Sequence, residues 1–208
     1  MNKLIRHAMI VGATLIGLAA AGVAISDSDD YHKDRDHHDE EHDGWIPHRP
    51  DVAPVENPRY AEECGACHMA YQPGLLPAAA WQRILSADAL IDHYGDDASL
   101  GEDTRQRLQA YLSANAADQA RLVRARAFAF AVPATTADSA DASAGGALPR
   151  ITMTAYFQRK HDEIPPRLVV ENPDVGSFSQ CNKCHQDAAA GIYDEDQVSI
   201  PGFGRWED

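Results

Sequence analysis

Two short motifs contain all four cysteines of this 208-residue chain. Each has the pattern Cys-x-x-Cys-His: residues 64–68 are CGACH and residues 181–185 are CNKCH. Two thiols at this spacing can form thioether bonds to the two vinyl groups of one porphyrin, and the histidine that follows is placed to bind the iron. The motifs therefore predict two covalently bound haem c groups. The predicted attachment residues and proximal ligands are Cys64, Cys67 and His68 in the first motif and Cys181, Cys184 and His185 in the second.

Two other uses of the cysteines compete with this interpretation. Two Cys-x-x-Cys pairs can hold one tetrahedral zinc ion, but such a site leaves both trailing histidines unexplained. Disulfides are favoured in an oxidising compartment, but a two-residue spacing strains a structural bridge and suits a redox-active dithiol better. Haem attachment is the interpretation that uses every residue type of both motifs.

The first 26 residues have the pattern of a secretory signal peptide. Lys3 and Arg6 make a positive start, an apolar run follows over 8–24, and small residues near its end offer cleavage sites. The run is also about long enough for an uncleaved membrane anchor, but its Gly- and Ala-rich composition favours cleavage. Export to the periplasm agrees with haem attachment, which takes place outside the bacterial cytoplasmic membrane.

The chain is strongly acidic. Its formal charge is −14 at pH 7, and removal of Lys3 and Arg6 with the signal segment makes it −16. Such a charge disfavours binding to nucleic acid and to anionic membranes, and it favours association with a basic protein surface through long-range attraction. We therefore expect a protein partner and no nucleic acid.

Two segments without hydrophobic patterning divide the chain. Residues 27–44 are charged, rich in histidine and too poor in apolar side chains to fold, so we expect a disordered spacer, with weak metal binding as the alternative. Residues 133–149 are rich in Ala, Ser, Thr, Asp and Gly, which is typical of a linker. These breaks predict one haem domain at 45–132 and a second at 150–208.

The predicted fold class is mainly α. The first domain has helical periodicity, and its order of helices resembles that of a class I cytochrome c. Its third helix is expected to bury Leu108, Tyr111 and Leu112. In the second domain, prolines interrupt any long element, so we expect a small and largely irregular haem domain. The expected helices are, in chain order, 61–71, 78–93, one that begins near Glu102, 117–130, 156–160 and 181–190.

The second axial ligand of each iron must come from elsewhere in the chain. Outside the signal segment the only methionines are Met69, which directly follows a proximal histidine, and Met153. His93 lies between the second and third predicted helices, where the distal ligand of a class I cytochrome occurs in chain order. Besides the proximal His185, His161 is the only histidine of the second predicted domain. We predict His93 and His161 as distal ligands. Met153 is the reserve for the second haem, and His48 is assigned to a turn.

Four segments of the chain resemble the bacterial dihaem cytochrome c family: ECGACHMAYQPGLLPAAAW, DHYGDDASL, QRKHDE and CNKCHQDAAAGIYDED. The resemblance implies two domains, the first class I-like and the second of unusual fold, and two low-spin haems with paired histidine ligands. Matched by motif, His93 would be the distal ligand in the first domain and His161 in the second. The resemblance also implies electron donation to a small oxygen-binding monohaem cytochrome.

These features favour a periplasmic electron-transfer protein with two low-potential haems, and not an enzyme. Such a protein would take electrons from a membrane donor, such as a haem b protein, and pass them to a soluble monohaem cytochrome c. The main rival is a dihaem peroxidase, which needs one open iron site, whereas a distal histidine is available here for each iron. Metal storage or sensing by the His-rich spacer is the third alternative.

Overall fold

The structure, a computed structural model, describes residues 49–130 and 147–206. The predicted signal segment 1–26 and spacer 27–44 lie outside these residues, as does most of the predicted linker 133–149. The longest helix within the described ranges has 13 residues, and none there is long and apolar enough to cross a bilayer.

Short helices dominate the described residues, which confirms the mainly α prediction. A small antiparallel sheet near the C-terminus pairs Ser199 with Arg205 and Ile200 with Gly204. The elements are α1 (Pro58–Cys64), α2 (Ala78–Ile84), α3 (Ala87–Ile91), α4 (Glu102–Ala114), α5 (Val123–Ala127), α6 (Ala155–His161), α7 (Cys181–Cys184), β1 (Ser199–Ile200) and β2 (Gly204–Arg205).

Helix α1 delivers the first cysteine but does not carry the whole motif. The Asn57 side chain caps its start by accepting a hydrogen bond from the Tyr60 N–H at 3.1 Å. The helix ends at Cys64, and the Gly65 N–H closes its last turn on the Ala61 carbonyl. The predicted helix 61–71 is therefore wrong beyond Cys64, because the chain turns at Gly65, where a Cβ would lie 2.1 Å from the Ala61 carbonyl oxygen.

Helices α2 and α4 form most of the first core, and Tyr60 of α1 packs into it. Leu108 and Leu112 of α4 are buried against α2, as the helical pattern predicted. Each such leucine contributes about 1.5–3 kcal/mol through burial. The predicted helix 78–93 is interrupted after Ile84, because the Ser86 side chain caps a new helix by accepting a hydrogen bond from the Ala89 N–H. As a result, His93 lies beyond the end of α3, in a loop.

Two of the remaining predicted helices are shorter than expected, and one is confirmed. The region 117–130 contains a 3₁₀ turn, α5 and a second 3₁₀ turn. Ala120 and Leu122, which lie between the first turn and α5, adopt extended backbone angles and so prevent one continuous helix. The prediction 181–190 holds only over α7, since His185 is extended and forms a β-bridge with Val198. The prediction 156–160 is confirmed as α6, whose N-terminus is capped by Thr154.

The two predicted haem regions share a second core and belong to one compact unit, Ile46–Asp208. Gly191 stands at their contact: its carbonyl accepts hydrogen bonds from the Asp51 and Val52 N–H groups. Its φ of +78° and the 2.1 Å that would separate a Cβ from the Val52 carbonyl oxygen both require glycine. The division into 45–132 and 150–208 stays a prediction. The buried members of this core are Val52, Leu75, Ala117, Ala125, Phe128 and Phe157.

Candidate functional site

The first Cys-x-x-Cys-His motif presents an oriented histidine. The chain leaves α1 at Cys64 and turns through Gly65 to His68, whose Nδ1 lies 2.7 Å from the Met69 carbonyl oxygen. Because a carbonyl only accepts hydrogen bonds, Nδ1 carries the proton, and Nε2 has a free lone pair for a metal.

The loop after α3 brings His93 to this histidine. The two ring centres are 6.4 Å apart and the planes are inclined by only 19°. The backbone groups of His93 pair with those of Asp96, and between them Tyr94 adopts a left-handed φ of 58°. The buried Nδ1 of His93 has no hydrogen-bond partner in the described part of the chain. Burial lowers the pKa of His93, so the ring is neutral at pH 7, as a metal ligand requires.

The second motif is paired with His161 in the same way. Helix α7 ends at Cys184, and the ring centre of His185 lies 6.2 Å from that of His161, with the planes inclined by 72°. The Nδ1 of His161 donates to the Phe157 carbonyl at 2.9 Å, and its ring stacks on the Phe157 ring at 3.8 Å. Burial, then the neighbouring His161, lowers the pKa of His185 to about 4. Both rings of this pair are therefore neutral.

The spacing within each pair fits one metal between two imidazoles. Metal–imidazole bonds are about 2 Å long and each nitrogen lies about 1.1 Å from its ring centre, so two rings on opposite sides of one metal have centres about 6 Å apart. The observed 6.4 and 6.2 Å match this value. The structure thus brings together His68 with His93 and His185 with His161, the residues that the sequence paired as candidate ligands.

An apolar cavity of about 520 Å³ adjoins the second pair. Both histidines of the pair and both cysteines of the motif line it, together with apolar side chains such as Leu75, Phe128, Val169, Val175 and Ile200. Its volume lies within the range of about 300–1,000 Å³ that is usual for ligand and cofactor sites. A flat, apolar macrocycle tethered to two thiols and bound on both faces by imidazole therefore fits the residues present.

The four cysteines do not gather into one metal site. Among the residues that the structure describes, no three or more His, Cys, Asp or Glu side chains are placed to hold a metal ion, and all four thiols are unpaired. Burial raises the pKa of the Cys64 and Cys181 thiols to about 11, so both are neutral. This arrangement favours two separate thioether attachment sites over a four-cysteine zinc site or a disulfide.

One other candidate ligand lies among the described residues. Met153, the reserve ligand, is 56% exposed and does not line the cavity at the second pair. His48 and the histidines of the spacer lie outside the described residues.

Four residues that lie at or near the histidine pairs were not identified from the sequence. Tyr71 stacks on His68, Tyr193 packs edge-on against His185, and the buried Gln72 bonds to Tyr193. Their positions carry no periodic signal. Phe157 could have been found, because it precedes His161 by four residues and so lies on the same helix face.

The chain was compared with protein families, curated proteins and solved structures. Residues 60–193 match the family model for dihaem cytochrome c. A dihaem cytochrome c from Shewanella baltica OS155 is 43% identical, with a TM-score of 0.57, over 74% of this chain and 99% of that one. A dihaem cytochrome c from Rhodobacter sphaeroides is 36% identical, with a TM-score of 0.51, over 68% of this chain and all of that one. The search of curated proteins gave no significant match.

Proposed function

Because this chain belongs to the dihaem cytochrome c family and carries two covalently attached haem c groups, we propose that it is a periplasmic electron-transfer protein with a histidine pair at each haem. His68 and His93 would bind one iron, and His185 and His161 the other. The observation that carries this proposal is the match of both ring spacings, 6.4 and 6.2 Å, to the spacing expected across a metal.

The residues of the chain then have positioning roles and no acid–base role. When bound, each haem stores and releases one electron at its iron. The thiols would tether the group, the paired imidazoles would bind its iron, and the apolar wall of the cavity would exclude water. Because a second histidine leaves the potential lower than a methionine does, we infer two low-potential haems. A filled sixth position argues against the peroxidase alternative.

The partners are inferred from charge and compartment. The charge of −16 without the signal segment favours a partner with a positive surface. We propose a soluble monohaem cytochrome c as the electron acceptor and a membrane haem b protein as the donor. The family resemblance and the predicted export signal support this assignment.

Electron paramagnetic resonance (EPR) of the oxidised protein tests the ligation. Nearly parallel imidazole planes give a rhombic low-spin signal and crossed planes give a large-gmax signal, so the angles of 19° and 72° predict one of each. His93→Ala should convert only the rhombic signal to high spin and make that haem bind CO when reduced. His161→Ala should act only on the large-gmax signal.

Met153→Leu is the matched control, because it removes the reserve ligand. Both signals should survive this change. An unchanged spectrum in His93→Ala, or loss of a low-spin signal in Met153→Leu, would refute the ligand assignment.

A further inference from the structure

We propose that Tyr71 is the bridging residue through which electrons pass between the two haem sites, and that Gln72 and Tyr193 hold it in position. The inference rests on the proposed function, because it requires a low-spin haem at each histidine pair. It concerns contacts between the pairs, which ligation alone does not specify.

Tyr71 touches both sites. Its ring centre lies 4.8 Å from that of His68, with the planes inclined by 24°. Its hydroxyl donates a hydrogen bond of 2.7 Å to the carbonyl of Ser179, and the Cys181 sulfur lies 3.7 Å from the same carbonyl oxygen. One side chain therefore connects the proximal ligand of the first site with the peptide beside an attachment sulfur of the second.

The two motifs also face each other directly. Cys67 and His68 line a surface depression whose other wall includes Gln180 and Asn182. Ala70, which precedes Tyr71, lines the same depression, so Tyr71 follows directly on the segment where the attachment regions approach each other.

The next residue fixes this bridge. Gln72 is fully buried, its Nε2 donates to the Ala188 carbonyl at 2.6 Å, and its Oε1 accepts a 2.6 Å hydrogen bond from the Tyr193 hydroxyl. The Tyr193 ring centre lies 5.3 Å from that of His185. A buried amide with paired donor and acceptor is rigid, because breaking either bond leaves a polar group unsatisfied. Of two adjacent residues, Tyr71 therefore contacts His68 directly, and Gln72 is linked to His185 through Tyr193.

These contacts provide a continuous route for electron exchange. Electron tunnelling weakens steeply across gaps and less steeply through bonded or contacting atoms, so a ring and a hydrogen bond between two redox centres raise the rate. One electron leaves the reduced iron of one site and reduces the oxidised iron of the other. No proton or co-reactant is required, and the tyrosine hydroxyl stays protonated as a hydrogen-bond donor.

The test measures electron exchange between the haems of the full-length holoprotein. A laser-pulsed photoreductant delivers less than one electron per molecule, and freeze-quench EPR then follows the rhombic and large-gmax signals separately. The rate at which the electron redistributes between the two haems of one molecule is independent of protein concentration. Tyr71→Phe keeps the ring on His68 but removes the bond to Ser179, so we expect redistribution to slow severalfold. Tyr71→Leu, which also removes the ring, should slow it further.

Two more variants separate this role from a general effect on the fold. Tyr193→Phe removes the hydrogen bond that Gln72 Oε1 accepts from the Tyr193 hydroxyl. This variant should slow electron redistribution less than Tyr71→Phe does. Tyr111→Phe is the matched control: its hydroxyl accepts a hydrogen bond from the Glu56 N–H and none from the residues of either pair, so the native rate is expected. All variants should keep both low-spin signals, because none removes a ligand.

The possible outcomes are distinguishable. A native redistribution rate in Tyr71→Phe, with both low-spin signals intact, would overturn the bridging role and leave the proposed function standing. A native protein without two low-spin signals would overturn the proposed function and the bridge together. Tyr71→Phe tests the bridging role even when Tyr71→Leu does not fold, because phenylalanine keeps the ring at position 71.

Discussion

The two histidine pairs differ in which partner is anchored. At the first site the proximal His68 is held by a hydrogen bond to the Met69 carbonyl, whereas His93 lies in a loop and its Nδ1 has no partner among the described residues. At the second site the arrangement is reversed: His161 is held on α6 by the Phe157 carbonyl and ring, and the buried Nδ1 of His185 has no such partner.

This reversal shows that a motif does not decide which ligand is rigid. A short motif supplies the proximal histidine at both sites, but the anchoring depends on which backbone carbonyl and which ring are nearby. The first site therefore depends on the conformation of a loop, and the second on a helix that packs into the shared core. The following changes test that contrast.

The largest expected effect follows from preventing attachment at the second site. With Cys181→Ala and Cys184→Ala, the cavity of about 520 Å³ would lose its occupant. Without the group, the apolar side chains that line the cavity would face water, and each contributes about 1.5–3 kcal/mol when it is buried. Losing several such contributions is comparable with the stability of a typical domain. We expect loss of a cooperative thermal transition, measured by circular dichroism.

Removing attachment at the first site is the comparison for this variant. The first core between α2 and α4 contains Leu108 and Leu112 and has its own packed side chains. Cys64→Ala with Cys67→Ala should therefore keep a cooperative transition at a lower temperature. Equal loss in the two double variants would show that the sites contribute alike to the shared fold.

A smaller effect is expected from removing the ring that supports His161. Phe157 belongs to the second core and is 8% exposed, so Phe157→Ala should lower the free energy of unfolding by about 3–5 kcal/mol. Denaturant titration measures this change. EPR should show broadening of the large-gmax signal alone, because His161 loses its stacked neighbour. Broadening confined to the rhombic signal would contradict the assignment of that signal to the first site.

The loop that carries His93 should respond to backbone strain. Gly95 has a φ of +109°, with open space around its Cα, so Gly95→Ala strains the backbone without a clash. We expect a loss of about 1 kcal/mol and a shift of the rhombic signal. Gly204→Ala is the matched control, since φ there is +102° with equal open space. If both variants shift the rhombic signal equally, the loop has no special role in ligation.

Deleting 27–43 should have the smallest effect on either site. The deletion removes nine acidic and two basic residues, a net of seven negative charges. If the segment is a tether, both EPR signals and both potentials stay unchanged, and association with a cytochrome partner slows modestly. Salt should slow association of the intact protein, since attraction is screened beyond about 8–10 Å. Loss of a calorimetric zinc- or copper-binding step on deletion would instead support the metal-binding alternative.

The sequence predicted the elements whose signals are local. The periodic leucines of α4 and the short helix α6 were found because each residue contributes to one face of one helix. The bounds 61–71, 78–93 and 181–190 were too long, because Gly65, Ser86 and the extended His185 end or restart helices through individual caps and bridges.

The number of haem groups and their attachment residues were determined by the sequence itself, because thioether attachment requires only a short run of adjacent residues. The tertiary structure alone decided which histidines face each other and what lies between the sites. Tyr71 and Ser179 are 108 positions apart in the chain, and Gln72 and Tyr193 are 121 apart. Contacts at such separations leave no periodic trace in the sequence, because they form only when the whole chain is packed.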